Sequence, residues 1–325
     1  MHSTRPPVVV FGECLVDWFE GRAVPGGAPC NVARHLAALG LDPLFITRVG
    51  ADANGALLRA ELTRYGVRSA SIQVDPDRPT GQVTVHQRPG GHEFEILADQ
   101  AYDYIEPIEA AALAPSGHTP WLYFGCLAQR AALSRRTLAL MRALVAHRAF
   151  VDLNWRAGQV SQQIAQSTLD CADELKVSAE ELGLLLEWAG LESQFTRHRP
   201  QVGARCPGVA ALLQDRRTMR LAVTHGVHGY ALWDRAGRCR CSGAGTAPAP
   251  LVDTVGAGDA FSAIVLAGRV LDWPDEIALA RANEFAGAIC GLQGAVPADP
   301  GFYAPWRRRW GAGGSRSNTG SEHGR

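Results

Sequence analysis

Residues 251–260 read Leu-Val-Asp-Thr-Val-Gly-Ala-Gly-Asp-Ala and form the most informative stretch of the chain. An apolar run, Phe261–Ala267, follows the two glycines, and its lack of helix breakers predicts a buried helix. Asp259 is the only charged residue between Asp253 and Arg269. The sequence therefore predicts a lone carboxylate in the first turn of an otherwise apolar helix.

The turn Gly256-Ala257-Gly258 and the neighbouring Asp259 together suit phosphoryl transfer. A glycine turn lets the backbone approach a ligand closely, and its N–H groups can hold an anion. The carboxylate could accept the proton of an attacking hydroxyl while the amides hold phosphoryl oxygens. A side chain at Gly258 would obstruct this approach and is expected to conflict with the φ angle there. A second interpretation stays open here, in which Asp259 only caps the helix.

A second glycine-rich segment, Gly26–Ala33, is predicted to open another helix. Pro29 suits the first helical turn, and an apolar stripe at helical spacing is expected to face the core. Asn31 falls in the first turn, at the exposed end of the helix, where its amide can hydrogen-bond a polyol. Gly27 beside it lets the backbone approach the same ligand.

The segments 26–33 and 253–260 resemble the two signature regions of the PfkB, or ribokinase-like, family of carbohydrate kinases. The resemblance extends from about Val8 to Pro297, and the two motifs occur in the family's order and separation. Within the family, the stretch 12–17 (Gly-Glu-Cys-Leu-Val-Asp) and the motif Gly-Gly-Ala-Pro-x-Asn are most similar to fructokinases. Residues 123–130 are similar to a segment of fructokinase-like bacterial members.

Composition and charge agree with a cytoplasmic enzyme. Hydrophobic residues make up 46% of the chain and the formal net charge is +0, which favours neither nucleic acid nor a membrane surface as a partner. The N-terminal residues lack the apolar region of a signal peptide, and no run is long enough to span a bilayer. The 8 cysteines include no Cys-x-x-Cys pair, so reduced thiols are expected in place of zinc ligands.

Short apolar strand patterns alternate with longer helical patterns along the chain. This alternation predicts an α/β fold with a mostly parallel central sheet and helices on both faces, with ligands at the carboxyl ends of the strands. The predicted strands are Val8–Phe11, Leu44–Val49, Trp121–Phe124, Phe150–Leu153, Leu175–Val177, Leu221–Thr224 and Tyr230–Trp233. The predicted helices are Pro29–Leu39, Gly55–Arg64, Ser134–Ala146, Ala179–Ala189, Gly208–Gln214, Ala257–Ala267 and Glu276–Cys290.

Residues 69–104 follow a different pattern, with short strands separated by proline and glycine. Three runs, Ser71–Val74, Gly81–Gln87 and Phe94–Ile96, predict a small antiparallel sheet outside the main fold, with Thr80-Gly81 as its ligand-facing corner. The resemblance implies that residues 13–25 and 69–104 form a lid over the sugar site, and that the lid can join a homodimer. An ordinary surface hairpin is the alternative.

The resemblance also implies the domain organisation. Residues 1–300 are predicted to form one kinase domain, and residues 301–325 a disordered tail. Residues 193–207 are predicted to form a surface loop.

The resemblance implies further site residues around the transferred phosphate. Arg156, in an Asp-x-Asn-x-Arg segment that follows a strand, would lie near the phosphate or the substrate, where its donor fork suits phosphate oxygens. An exposed surface arginine is the alternative. Glu181 matches the glutamate of the family's Asn-x-x-Glu region, which organises Mg²⁺. Ser178 stands where asparagine is usual, and serine can equally cap the helix that follows.

The resemblance places the nucleotide on a loop after the strand that ends at Thr224. Thr224, Gly226 and Gly229 match the family's Thr-x-Gly-x-x-Gly motif, and Asn283 matches a position close to adenine, although a solvent-facing role is equally open. Asp253 would help to bind a monovalent cation such as K⁺. The loop histidines at 225 and 228 lack a third ligand and do not predict a metal site.

These residues together predict an ATP-dependent sugar kinase that uses Mg²⁺. Asp17, Gly27 and Asn31 would hold the sugar, the Gly256–Gly258 turn the γ-phosphate, and Asp259 would take the hydroxyl proton. D-fructose is the first substrate expected, with 2-keto-3-deoxygluconate, ribose or a nucleoside as alternatives. A hypothesis of another class is a catalytically silent regulator that binds sugar or nucleotide. The chain carries neither a P-loop nor a Gly-x-Gly-x-x-Gly turn after its first strand, which argues against P-loop kinases and dehydrogenases.

Overall fold

The structure is a computed structural model that describes residues 7–19, 21–88, 91–113, 115, 120–144, 147–191, 199–246, 248 and 250–311. These residues form thirteen strands and ten α-helices. The strands are β1 (Val8–Phe11), β2 (Leu15–Phe19), β3 (Arg22–Gly26), β4 (Leu44–Gly50), β5 (Ile72–Asp75), β6 (Gly81–Arg88), β7 (Gly91–Ile96), β8 (Trp121–Phe124), β9 (Arg148–Asp152), β10 (Glu174–Ser178), β11 (Arg220–Thr224), β12 (Tyr230–Asp234) and β13 (Cys239–Gly243). The helices are α1 (Ala28–Ala38), α2 (Ala53–Arg64), α3 (Pro107–Ala112), α4 (Ala132–Leu144), α5 (Gln162–Leu169), α6 (Ala179–Trp188), α7 (Pro207–Leu213), α8 (Ala257–Val270), α9 (Asp275–Cys290) and α10 (Ala304–Trp310).

The main sheet has nine strands in the order β13-β12-β11-β10-β9-β8-β1-β4-β5. Every neighbouring pair from β11 to β5 is parallel, and only β12 and β13 join in antiparallel pairing. All seven strands predicted for this sheet are present, and the predicted parallel architecture is confirmed. Parallel strands end on the same side, so the loops after β1, β9, β10 and β11 meet along one edge.

Helices cover both faces of the main sheet, which is why the neighbouring strands β1 and β8 are apolar throughout. All four residues of β1 are buried. Val8 and Val10 belong to a core that includes residues of α1, α8 and α9, whereas Val9 and Phe11 belong to the core on the opposite face. Helices α8 and α9 approach closely at Gly268, where a Cβ atom would lie 2.7 Å from Cβ of Ala278.

A second sheet has the order β3-β2-β6-β7 and confirms the predicted small sheet built from two separate segments. The prediction that this sheet is antiparallel is wrong for one pair, because β2 and β6 run parallel. The assignment of Ser71–Val74 to this sheet is also wrong. Strand β5 pairs in parallel with β4, with Ile72 opposite Thr47, and extends the main sheet.

The corner Thr80-Gly81, predicted to face a ligand, packs against other parts of the protein. Thr80 is buried, and its hydroxyl donates a hydrogen bond of 2.6 Å to Oδ1 of Asp52 at the start of α2. A Cβ atom at Gly81 would lie 2.6 Å from the ring of Tyr102. This corner therefore anchors the small sheet to the rest of the fold.

The prediction of a disordered tail from residue 301 is wrong for residues 301–310, which form a 3₁₀ turn and α10. Tyr303 and Trp310 are buried, and the Tyr303 hydroxyl lies 2.7 Å from Nδ1 of His35 in α1. The aromatic side chains of this Arg-rich stretch pack against α1 and α9 and bury apolar surface there. Residues 312–325, like residues 193–198 of the predicted surface loop, lie outside the described residues. Within the described part of the chain, no helix is both long and apolar enough to cross a membrane.

Candidate active site

A cavity of about 500 Å³ lies between the small sheet and the edge of the main sheet where the parallel strands end. Strands β2, β6 and β7 of the small sheet contribute to its wall, together with the amino termini of α1 and α8 and the loop after β9. The cavity is lined by seven of the predicted site residues, namely Asp17, Gly27, Asn31, Arg156, Gly256, Gly258 and Asp259. Three segments far apart in sequence thus meet at one site.

The two glycines at the start of α8 have conformations and roles that differ from the prediction. Gly256 is the residue before the helix and adopts a left-handed conformation with φ of 76°. A Cβ atom there would lie 2.3 Å from Cβ of Ala295. The expected φ conflict at Gly258 is wrong, because Gly258 lies inside the helix without a positive φ. Its missing side chain instead leaves space for Lys176, whose Nζ would lie 3.0 Å from a Cβ atom at this position.

Asp259 does not cap α8. The helix has Gly256 at its N-cap and no side-chain capping bond. The Asp259 carboxylate instead accepts a hydrogen bond of 2.7 Å from Nδ2 of Asn31 at the start of α1. The two helix termini that carry the glycine motifs therefore present an amide and a carboxylate to each other at the cavity.

Asn31 is buried, so the prediction of an exposed amide is wrong. Its Oδ1 accepts a hydrogen bond of 2.5 Å from Nη2 of Arg34, one turn further along α1. Arg34 also donates to the backbone oxygen of Pro25 at 3.1 Å and lies 3.7 Å from a carboxylate oxygen of Glu61. Because Arg34 fixes its oxygen, Asn31 must turn its NH₂ group towards Asp259. Asn31 therefore orients Asp259 and has one further N–H for a ligand.

Asp17 lies on β2 and lines the cavity from the small sheet. A Cβ atom at Gly26 on the paired strand β3 would lie 2.3 Å from Oδ2 of Asp17, so glycine is required beneath this carboxylate. Burial raises the pKa of Asp17 to about 6, and the positive charge of Arg156 partly opposes this rise. The prediction of Asp17 at the sugar end of the site remains a prediction.

Arg156 lies in the loop after β9, exposed to solvent and on the wall of the cavity. It makes no hydrogen bond or ion pair with any other described residue. Asn154 in the same loop has φ of 43°, an uncommon conformation that turns the chain over the cavity. The guanidinium is thus free to bind an anionic group of a ligand.

Ser178 and Glu181 cap helix α6, as predicted for the serine. The Ser178 Oγ accepts a hydrogen bond of 3.1 Å from the Glu181 backbone N–H. The Glu181 carboxylate accepts hydrogen bonds from the backbone N–H groups of Ser178 at 2.7 Å and Trp155 at 2.8 Å. Glu181 therefore ties the start of α6 to the loop that carries Arg156, and each oxygen keeps a lone pair for a water or an ion.

The predicted nucleotide residues gather on the other side of β11, outside the cavity. Thr224 ends β11, and Gly226 is exposed with open space where a Cβ atom would lie. Gly229 has a structural role, because its Cβ atom would lie 2.0 Å from the backbone oxygen of Gly243. The Asn283 side chain donates hydrogen bonds of 2.9 Å to the Ala244 oxygen and 2.6 Å to the Thr246 hydroxyl.

The comparison with known families settles the class of the protein. The profile of the pfkB family carbohydrate kinase matches residues 9–300. The chain belongs to the PfkB family. The predicted family, fold and extent of the resemblance are confirmed, and the protein is a carbohydrate kinase.

Several relatives of this kinase have been named or solved. It is 30% identical to a fructokinase of Klebsiella pneumoniae over 87% of this chain and 91% of the relative. It is 25% identical to the fructokinase of Vibrio cholerae O395 solved with fructose, ADP and calcium, with a TM-score of 0.71 over 90% of this chain and 96% of that one. An uncharacterized sugar kinase of Pyrococcus horikoshii, solved with ATP, is 25% identical with a TM-score of 0.68 over 89% and 93%.

The surroundings of Asp259 in this kinase raise the pKa of its carboxyl group. Burial is the main cause, the hydrogen bond from Asn31 opposes it, and the negative charge of Asp152 adds to it. A raised pKa makes the carboxylate a stronger base than a carboxylate in water. Asn31 is therefore expected to set the pH at which Asp259 becomes ionised.

We expect Asn31→Ala to shift the acid limb of the kcat–pH profile to higher pH. The substitution removes the hydrogen bond that stabilises the ionised form of Asp259, so its pKa must rise further. The check is kcat at saturating substrates from acidic to alkaline pH. Activity lost at neutral pH should return at alkaline pH, where Asp259 is ionised in both proteins. An unchanged limb would contradict the role given to Asn31.

The sequence analysis missed Lys176, which lines the cavity beneath the glycine turn. Its Nζ donates to the Asp152 carboxylate at 3.0 and 3.1 Å, and the Ser262 hydroxyl donates to the same carboxylate at 2.7 Å. Burial lowers the pKa of Lys176, but the charges of Asp152, Glu181 and Asp259 outweigh burial and raise it. The available signal was a lysine between two apolar residues, Leu175 and Val177, in a predicted strand.

The side chain of Asp253 links the segment before α8 to the segment after α9 by hydrogen bonds. Its Oδ1 accepts a hydrogen bond of 2.9 Å from the Val255 N–H, and its Oδ2 accepts one of 3.0 Å from the Gly294 N–H. Among the described residues, no group of three or more histidine, cysteine, aspartate or glutamate side chains could hold a metal ion.

Proposed function

We propose that this kinase is a fructokinase, which transfers the γ-phosphoryl group of ATP to the terminal hydroxyl of D-fructose and forms fructose 6-phosphate. The names of its relatives and the motif at residues 12–17 support this substrate. The observation that carries the proposal is the position of Asp259. It lines one cavity together with the glycine turn of α8 and with Asp17, so an acceptor hydroxyl and a phosphoryl group can meet beside its carboxylate.

In this mechanism the γ-phosphate is held at the amino terminus of α8. The N–H groups of the Gly256–Gly258 turn and the helix dipole stabilise its negative charge, and Lys176 adds positive charge beneath the turn. Asp259, oriented by Asn31, accepts the proton of the sugar hydroxyl as its oxygen attacks phosphorus in line. The transition state is loose, so positioning and charge stabilisation supply most of the acceleration.

The proposal includes Mg²⁺, whose positive charge neutralises the phosphates of bound ATP. Mg²⁺ usually keeps several waters and takes only one or two protein carboxylates, so it does not require the ligand cluster that the described residues lack. Glu181 fits this demand, because both of its oxygens are oriented by backbone N–H groups and keep free lone pairs. Asp253 is the residue proposed for K⁺, and comparing activity in potassium and sodium salts tests it.

The charge of the cavity favours a neutral sugar over a sugar acid. Three carboxylates, those of Glu13, Asp17 and Asp259, line it against two cations, of which Lys176 is already paired with Asp152. An acceptor with its own carboxylate, such as 2-keto-3-deoxygluconate, would meet net repulsion unless it bound Arg156. A neutral polyol can donate hydrogen bonds to these carboxylates without such repulsion.

An ATP-coupled assay of the purified protein tests the proposal. The acceptors are D-fructose, ribose, 2-keto-3-deoxygluconate and nucleosides, and the readout is kcat/KM for each. We expect the highest value with D-fructose. A higher value with another acceptor would replace the substrate but keep the mechanism. Stabilisation by ligands without ADP release from any acceptor would favour the silent regulator, against which the intact Asp259 and glycine turn argue.

We expect Asp17→Ala to raise the KM for fructose ~10–100-fold and the KM for ATP much less. The truncation leaves buried sugar hydroxyls without an acceptor, a loss of roughly 1–3 kcal/mol per group. Because the pKa of Asp17 is about 6, the wild-type KM for fructose should rise as pH falls through this value. The exposed Asp77→Ala serves as the matched control. A shift confined to the KM for ATP would place Asp17 at the wrong end of the site.

Two further features belong to the proposal. We propose a cytoplasmic location, supported by the eight cysteines, all of which are free thiols. We also propose a homodimer joined through the small sheet, supported by its unpaired edge strand β3, on which Val24 is 41% exposed. Sedimentation of the wild type and of Val24→Lys tests the dimer.

A further inference from the structure

Glu13 is a buried carboxylate with one oxygen that has no hydrogen-bond partner among the described residues. It follows β1, is only 4% exposed and lines the cavity. Its Oε2 accepts no hydrogen bond from any described residue. Glu13 belongs to the stretch 12–17 that resembles fructokinases, but no role was predicted for its carboxylate. A buried and unpaired carboxylate oxygen destabilises a folded protein, and such atoms are rare in native structures.

The nearest arginines do not neutralise Glu13 by direct contact. Arg130 is engaged elsewhere: its Nε and Nη2 donate to the Asp103 carboxylate at 2.8 Å each, and Nη2 also donates to the Leu97 oxygen at 2.6 Å. Its Nη1 donates to Oε1 of Gln159 at 2.7 Å. The positive charge of Arg130 therefore neutralises mainly the Asp103 carboxylate.

Arg156 acts on Glu13 only through space. Burial raises the pKa of Glu13 to about 7, the Glu13 backbone N–H and the Arg156 charge oppose the rise, and the Asp259 charge adds to it. No ion pair joins Glu13 to Arg156 within the described residues. The acceptor capacity of Glu13 is thus available to a molecule in the cavity.

The position of Glu13 fits the sugar side of the cavity. A Cβ atom at Gly27 would lie 3.3 Å from Cγ of Glu13 and 2.8 Å from its backbone oxygen, so Glu13 packs directly against the glycine motif of α1. Asp17 and Asp259 line the same cavity and are also acceptors. Three acceptors around one space select a ligand with several donors, which is the chemistry of a polyol.

We propose that Glu13 is a specificity-determining residue that accepts a hydrogen bond from a sugar hydroxyl other than the one phosphorylated. The inference rests on the proposed sugar-kinase function and gives a role to the glutamate of the stretch 12–17, for which no role was predicted. Asp259 takes the proton of the reacting hydroxyl, and Glu13 accepts a hydrogen bond from a second hydroxyl. A sugar without that second hydroxyl leaves the buried carboxylate unpaired, so the enzyme should reject it.

The test is a series of monodeoxy analogues of D-fructose, each lacking one non-reacting hydroxyl. Wild type, Glu13→Gln and Glu13→Ala are compared by kcat/KM, with the exposed Glu109→Ala as the matched control. We expect the wild type to reject one analogue ~10–100-fold relative to fructose. Glu13→Ala should lower kcat/KM for fructose by a similar factor, through KM, and accept that analogue as well as fructose. Glu13→Gln, which keeps one acceptor oxygen, should be intermediate.

Melting temperature without ligand separates recognition from a structural role. Because its Oε2 has no partner, replacing Glu13 by Gln should leave the melting temperature unchanged or raise it, as expected for a residue kept for function. A lower melting temperature with unchanged discrimination in Glu13→Gln would overturn the inference, as would full discrimination retained by a folded Glu13→Ala. If the wild type prefers another sugar, the proposed substrate fails, and the deoxy analogues of that sugar decide the role of Glu13. If the wild type phosphorylates no sugar, the kinase proposal fails. The thermal stabilisation of the wild type and the variants by fructose and its deoxy analogues then decides the role of Glu13.

Discussion

Asp259→Asn should lower kcat by ~10²–10⁴-fold, which is the usual effect of losing a general base. The substitution preserves the size of the side chain, and the oxygen of the new amide can still accept the hydrogen bond that Asn31 donates at 2.7 Å. What disappears is the group that takes the hydroxyl proton. The KM values for fructose and ATP should therefore change much less than kcat.

The control for Asp259→Asn is Asp272→Asn, an equal change of charge at an exposed position just after α8. Asparagine suits the left-handed conformation of Asp272, whose φ is 53°, so the fold should be unaffected. Steady-state kinetics of both variants beside the wild type provide the measurement. If Asp259→Asn keeps near-wild-type turnover, Asp259 is not the base.

Gly258→Val should lower kcat/KM for ATP by ~10²-fold or more, the scale of losing a main-chain anion donor. Gly258 lies in the first turn of α8 and lines the cavity, so a branched side chain there occupies space assigned to the phosphoryl group. It also meets Nζ of Lys176, 3.0 Å from the new Cβ atom. ATP should no longer raise the melting temperature, whereas fructose alone should still do so.

Two further variants distinguish blocking of the phosphate position from general destabilisation of a helix. Gly258→Ala adds only the Cβ atom, against the movable end of Lys176, and should have a smaller effect. Gly183→Val changes a glycine inside α6 whose Cβ atom would have no neighbour within 4 Å, and it controls for the helix propensity of valine. Unchanged stabilisation by ATP in Gly258→Val would mean that the phosphates bind elsewhere.

The central sheet and its helices could be predicted from the sequence because their signals are local. A strand such as β1 is apolar along its whole length, since both faces are covered, and each long helix carries its own periodicity. Asp259 could be placed in the first turn of α8 for the same reason. Short elements such as β13 and α5 escaped prediction because their signals extend over few residues.

Contacts between distant segments could not be predicted. Strand β5 has the composition of a strand of the small sheet, and only its pairing with β4 assigns it to the main sheet. The Arg-rich stretch around residue 307 suggested disorder, whereas the packing of Tyr303 and Trp310 makes α10 part of the core. In both cases the pattern within the segment is compatible with two outcomes, and burial against a remote partner selects one.

The sequence by itself determined the family, the order of the elements and the two glycine motifs with their Asn31 and Asp259. Only the tertiary structure decided what these residues do to one another, as with the hydrogen bond between Asn31 and Asp259, which are 228 residues apart. It also decided that Oε2 of Glu13 is buried without a hydrogen-bond partner among the described residues, and that Lys176 lies beneath the Gly256–Gly258 turn. The physical reason is that backbone preferences and periodicity depend on neighbours in the chain. The charge, burial and orientation of a site depend instead on which chain segments meet in space.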